Sequence, residues 1–223
     1  YPFGLPPELS YYSIVAGIDW GAAYDSTVVT MMAVNWSAPI DSGYFTDAQG
    51  IHEYTFYQKH VIDWLEFSGD NYEYQFGEVY AYLGRFKKLA KIVTDSNTCG
   101  RPIFDRLTAV FSGQGVVVEP FNYQAMLKSD GYKSFYGDIC GHRFTFPANE
   151  AVRKATEYRK FVGQMLDLRK SYRNGLMMVA HPDEKSAHDD YCLLSCSPVL
   201  SDKGYIPIKD IVAGQKVLTS KGW

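Results

Sequence analysis

The sequence has no CxxC pair among its four cysteines, Cys99, Cys140, Cys192 and Cys196. Neither a zinc ribbon nor a disulfide framework is therefore written into it, and reduced cytoplasmic thiols are the simpler reading. Its longest apolar runs, such as GVVVEPF, fall far short of the roughly 20 residues that cross a bilayer. The opening residues lack the charged-then-apolar pattern of a secretory signal. No excess of positive charge is present either. With 22 Lys and Arg against 25 Asp and Glu the formal net charge is −3, which argues against a free-standing nucleic-acid binder. An enzyme handed its nucleic acid by a larger assembly is not excluded.

What is present suits one full domain and a fragment. There are 223 residues, 46% apolar and 21% charged, which is ordinary globular composition. Aromatic residues reach 16%, with 18 tyrosines, and are read as packing. Charge is unevenly spread: RKATEYRKFVGQMLDLRKSYR, residues 153–173, is distinctly basic.

Periodicity orders the chain. YPFGLPPELS, with three prolines, reads as a linker. YSIVAGIDWG and STVVTMMAVNW read as strands, and GIHEYTFYQKHVI, residues 50–62, as a third. The polar SAPIDSGYFTDAQ between the second and third strands is a long hairpin connection. Phe76, Val79, Tyr80, Leu83 and Phe86 have helical spacing. KIVTDS is a buried strand, RPIFDRLTAVFSG a helix with proline in its first turn, and GVVVEPF a fifth strand. A helix near 123–130 and a long one over about 148–172 follow, then LMMVAHP and a last helix that Ser186 can cap. Three antiparallel strands followed by strand–helix–strand units give a mixed five-stranded α/β sheet flanked by helices, in the ribonuclease H-like order.

The acids fall at matched places in that order. Asp19 ends the first strand, Asp95 ends the fourth, and Asp189 and Asp190 open the last helix, with His188 beside them. The first and fourth strands are neighbours in such a sheet, so Asp19 and Asp95 meet at adjacent strand ends. Three or four carboxylates together need a cation, and hard oxygen donors suit Mg²⁺ or Mn²⁺, two ions in all. Singly, Asp19 could be a turn residue, and Asp95 or the Asp189–Asp190 pair could cap helices. His188 could be a solvated histidine. Arg153, Lys154, Arg159 and Lys160 are candidates for holding DNA phosphates, or else a solvated face.

With GIDWG (17–21), IVTDS (92–96) and HDD (188–190), the sequence resembles the nuclease domain of phage large terminase subunits over roughly residues 10–195. The resemblance implies a RuvC-type ribonuclease H-like fold and metal-dependent cleavage of double-stranded DNA during genome packaging. It also implies a small terminase subunit and a portal protein as partners, no membrane, and the host bacterial cytoplasm as location. It further implies an ATPase domain upstream of residues 1–10, and the chain contains no GxxxxGK[ST] loop of its own. In similar nucleases a hairpin placed like SAPIDSGYFTDAQ is thought to gate DNA access. Where the family often continues HDD with a further acid, this chain has DDYCLL, which leaves open which of Asp189 and Asp190 is the main ligand.

The tail departs from the enzyme. CSPVLSDKGYIPIKDIVAGQKVLTSKGW, residues 196–223, resembles the start of an intein, with Cys196 as its first nucleophile and Ser195 as the last host residue. The tail lacks the later intein blocks, so splicing is not expected; the alternative is a β-rich hairpin native to the enzyme. Two other activities compete with the nuclease. GIDWGAAYDST resembles the first phosphate loop of actin-like ATPases and sugar kinases, whose second loop and adenosine motif do not follow. A Holliday-junction resolvase shares fold and metals, but would usually carry Glu where Asp95 stands.

Overall fold

The computed structural model describes residues 11–21, 26–47, 50–69, 71–95, 100–121, 125–147, 149–180, 198–201 and 204–207. The chain divides into two compact units, residues 1–123 with 143–153, and residues 124–142 with 154–223.

The first unit is built on a six-stranded sheet. Strands β1 (Ser13–Asp19) and β2 (Ser26–Val34) pair antiparallel from Ser13 opposite Val34 to Asp19 opposite Val28. Strands β3 (Asp41–Asp47) and β4 (Gly50–Phe56) form a separate two-stranded sheet. β5 (Lys59–Ser68) returns antiparallel to β2. Helix α1 (Tyr72–Leu83) follows, its first turn capped by Asn71, whose side chain accepts the amides of Glu73 and Tyr74. β6 (Leu89–Asp95) then runs parallel beside β1, helix α2 (Gly100–Phe111) crosses back, and β7 (Val117–Phe121) lies parallel to β6. The turn into β7 needs Gly115, at φ 77°, a backbone conformation that costs glycine little.

Alternation along the strands decides what faces the core. Ile14, Ala16 and Ile18 of β1, Val29, Met31 and Ala33 of β2, and Ile92 of β6 pack with Phe76, Val79 and Leu83 of α1 and Ile103, Leu107 and Phe111 of α2. Burying each large side chain here contributes about 1.5–3 kcal/mol. Arg106 joins the two helices at the surface, its Nη1 donating to both Glu73 carboxylate oxygens at 2.6 Å and its guanidinium lying 4.0 Å over the Phe76 ring.

The second unit holds helix α3 (Ala125–Cys140). The chain then re-enters the first unit for β8 (Phe144–Thr145), which joins the β5 edge, and α4 (Glu150–Arg153). The sheet order is therefore β7-β6-β1-β2-β5-β8. α5 (Thr156–Asp167) and the hairpin of β9 (Arg169–Arg173) and β10 (Leu176–Ala180) complete the second unit's described core. Tyr132, Ile139, Phe161, Met165, Leu168, Met177 and Val179 are buried there. Ser129 of α3 accepts the Met177 amide at 2.9 Å, fastening the helix to β10. A last hairpin pairs β11 (Pro198–Ser201) with β12 (Gly204–Pro207).

Three expectations need revision. The five-stranded sheet gains a sixth strand, because Phe144 and Thr145 add two residues of pairing to β5. The strand expected over 50–62 is two strands, broken at Tyr57–Gln58 where the hairpin leaves the sheet. The long helix over 148–172 is α4, α5 and then strand β9, which turns at Asn174 and Gly175, both at positive φ (51° and 77°).

Candidate metal centre

The parallel pairing of β1 with β6 sets Ile18 opposite Thr94, so one step further Asp19 stands beside Asp95 at the same end of both strands. Neighbouring strands run about 4.8 Å apart. Ile14, Ala16, Ile18, Ile92 and Trp20 belong to the core cluster, so Asp19 and Asp95, at the alternate positions, share the opposite face. Asp95 is buried and Asp19 half-buried. Helix α2 begins at Gly100, five residues on, so Asp95 ends a strand and does not cap that helix.

Ionised carboxylates held at adjacent strand ends repel one another. A hard divalent cation relieves that repulsion, and two aspartates at one strand level are donors of the right kind for Mg²⁺ or Mn²⁺. Among the described residues no three His, Cys, Asp or Glu side chains come together as a metal cluster. His188, Asp189, Asp190 and the junction residue Cys196 lie outside the described residues. The structure thus brings together the first two expected acids.

The four basic candidates are all exposed. Arg153 ends α4, Lys154 follows it, and Arg159 and Lys160 lie on α5. Arg159 folds back so that its guanidinium donates to the Lys154 carbonyl at 2.5 Å.

Residues between and beside the acids form a buried polar network that reading for acids alone passes over. The Trp20 indole N–H donates to Thr94 Oγ1 at 2.7 Å. The Gly21 amide donates to Thr27 Oγ1 at 3.0 Å, and Thr27 donates in turn to Gln75 Oε1 at 3.0 Å. Gln75 Nε2 reaches back to the carbonyls of Gly21 and Gly69. The signal was present in the motifs themselves: Trp20 follows Asp19 in GIDWG, and Thr94 precedes Asp95 in IVTDS.

No protein-family model matches the chain, and no curated protein matches it in sequence. Solved structures do match. The large terminase nuclease from thermophilic phage G20c, solved with bound magnesium, aligns at 13% identity and a TM-score of 0.55, covering 84% of this chain and 79% of that one. The large terminase nuclease domain of Thermus phage P74-26 aligns at 11% identity and a TM-score of 0.50, covering 84% and 77%. The mixed sheet flanked by helices is the ribonuclease H-like fold of these nuclease domains.

Proposed function

We propose that the chain is a divalent-metal-dependent endonuclease that cuts double-stranded DNA during viral genome packaging. The observation that carries this reading is the meeting of Asp19 and Asp95 on one face, at the ends of adjacent parallel strands, in the fold that terminase nucleases have. The magnesium of the phage G20c nuclease supports a divalent cation here too.

Asp19 and Asp95 would hold Mg²⁺ or Mn²⁺ together with Asp189 and Asp190, and His188, beside them in sequence, would belong to the same catalytic site. A pair of such ions supplies an activated water and stabilises the leaving oxygen of a phosphodiester. The chain's own part is to fix the carboxylates on rigid strands. Arg153, Lys154, Arg159 and Lys160 would hold DNA by its phosphates, independently of sequence. Small terminase subunit and portal would be met through the complete motor, in the cytoplasm of an infected bacterium. Among the described residues no helix is long and apolar enough to cross a membrane. On this reading residues 1–10 join an ATPase domain, residues 11–195 are the nuclease, and Cys196 opens an intein fragment. The short hairpin of β11 and β12 is compatible with that tail.

One series of plasmid-cleavage assays tests the scheme. Nicking should require Mn²⁺ or Mg²⁺ and stop in excess EDTA. Asp19→Asn should abolish it while the fold survives, since the change also relieves like-charge repulsion. Full activity in either condition refutes the metal centre. Replacing the four basic residues by alanine should weaken DNA binding and flatten its salt dependence; unchanged binding at every salt concentration removes that surface. The chain ended after Ser195 should keep both cleavage and the metal-induced rise in Tm. Loss of that rise in a folded truncate would make the tail part of the enzyme.

A further inference from the structure

We propose that Trp20 and Thr94 are positioning residues of the metal centre, their indole-to-hydroxyl bond holding the ends of β1 and β6 together from the face opposite the carboxylates. The inference rests on the nuclease reading above and goes beyond it, since neither residue carries a charge or is placed to bind a cation.

The geometry is specific. Trp20 follows Asp19 and Thr94 precedes Asp95, so alternation turns both side chains into the core while both acids face the other way. The 2.7 Å bond joins residues 74 apart in sequence. Both partners are almost completely enclosed, at 2% and 1% exposure, so water does not compete for the bond. Thr94 Oγ1 also lies 3.4 Å from the Asp95 carbonyl as a donor, which continues the chain of contacts into the backbone of the second acid.

A second clasp secures the same strand end. Gly21 is held through its amide by Thr27 of β2 and through its carbonyl by Gln75 of α1. β1 is thus fixed on both sides of the point where it leaves the sheet, by Thr94 on β6 and by the Thr27–Gln75 pair. A cation shared between carboxylates on two strands is sensitive to their spacing. Groups that orient the ligands of a metal from behind typically govern affinity by about 10–100-fold. A hydrogen bond that only satisfies a buried indole would leave metal affinity unchanged.

The test is Mn²⁺ titration of the full chain, followed calorimetrically, with plasmid cleavage measured alongside. Thr94→Val and Trp20→Phe should each weaken Mn²⁺ binding by about 10–100-fold, the double variant no more than the weaker single, and Thr94→Ser should stay close to the parent. Mn²⁺ affinities of folded Thr94→Val and Trp20→Phe that match the parent overturn the proposal, as does a Thr94→Ser variant as weak as Thr94→Val. If Trp20→Phe does not fold, benzothienylalanine at position 20 keeps the ring shape, deletes only the N–H, and is read the same way. A parent that binds no Mn²⁺, or an Asp19→Asn variant that binds it as tightly as the parent, refutes the metal centre itself and this inference with it. A parent that binds and cuts, with clamp variants unaffected, refutes the clamp alone.

Discussion

Strands β1, β2 and β6 are mainly aliphatic, the hairpin of β3 and β4 mixes polar and aromatic residues, and the two regions are held in different ways. β2 is buried or half-buried at every position, whereas β4 alternates between half-buried and exposed. Tyr44 and Ile51 of the hairpin are 72% and 74% exposed, while Ile92 and Val29 are at 0%. The hairpin relies on pairs such as Phe45 stacked on His52, with ring centroids 5.0 Å apart, each worth about 0.2–1 kcal/mol. The central strands rely on a shared core. That difference fixes where precise chemistry can be placed. A slip of one residue in β6 would turn Asp95 into the core and Ile92 out of it, so burial on the core face pins the register that aligns the two acids. In the hairpin a slip exchanges a half-buried face of β4 for an exposed one, with no fully buried side chain on that strand to resist it.

The contrast is broken most easily from the core side. Ile92→Ala, which empties a fully buried position beside β1, should cost about 2–5 kcal/mol, read as a lower Tm and denaturation midpoint. A loss below about 1 kcal/mol would mean that the central strands are no better pinned than the hairpin.

A smaller effect is expected from removing the hairpin. Val34 and Lys59 are paired across β2 and β5, so residues 35–58 can be replaced by a two-residue Asn-Gly turn. The variant loses the cross-strand pairs and the Arg143 guanidinium seated 3.8 Å over Phe56. It recovers about 2 kcal/mol from the shorter closure. Stability should stay near that of the parent while the cleavage rate changes and Mn²⁺ affinity does not. A Tm loss as large as that of Ile92→Ala would erase the distinction between the two regions, and an unchanged rate would make the hairpin a bland surface loop.

The smallest effect lies at the edge where β8 joins β5. His60 packs against Tyr12 and shares a 2.6 Å hydrogen bond with Thr145, and burial pulls its pKa below the usual 6.5. In the window between that lowered value and 6.5 the unfolded chain binds the extra proton, so stability falls as pH drops through the window and is flat above it. His60→Asn should remove that part of the acid-side slope in Tm-against-pH profiles. An identical slope in both proteins would assign it to other groups.

The elements that position the acids were legible because their signals are local. β1, β6, α1 and α2 follow from alternation, helical spacing and the glycines and prolines at their ends. The boundary between β4 and β5 was hidden, because Ile51 to Ile62 alternates without a glycine or proline to mark where the chain changes sheets. The end of α5 was legible and passed over. Asn174-Gly175 is a strong hairpin signal, but no glycine or proline stands between Asp167 and Arg173 to mark where the helix ends. Asp19 and Asp95 could be paired from sequence because parallel neighbours follow from element order. The Trp20–Thr94 bond could not, since it depends on which way two side chains turn at a strand end.

The two neighbours of β1 are reached by connections of very different length. Only six residues separate Asp19 from Ser26 at the start of β2, whereas the bond from Trp20 to Thr94 spans 74. Closing the longer loop costs about 2 kcal/mol more chain entropy than closing the shorter one. A nascent or refolding chain can therefore draw β1 against β2 well before β6 is in place. The first acid is present from that early stage, but its partner arrives only with the long-range closure. A fragment that stops before residue 89 can hold the antiparallel meander and cannot hold the acid pair.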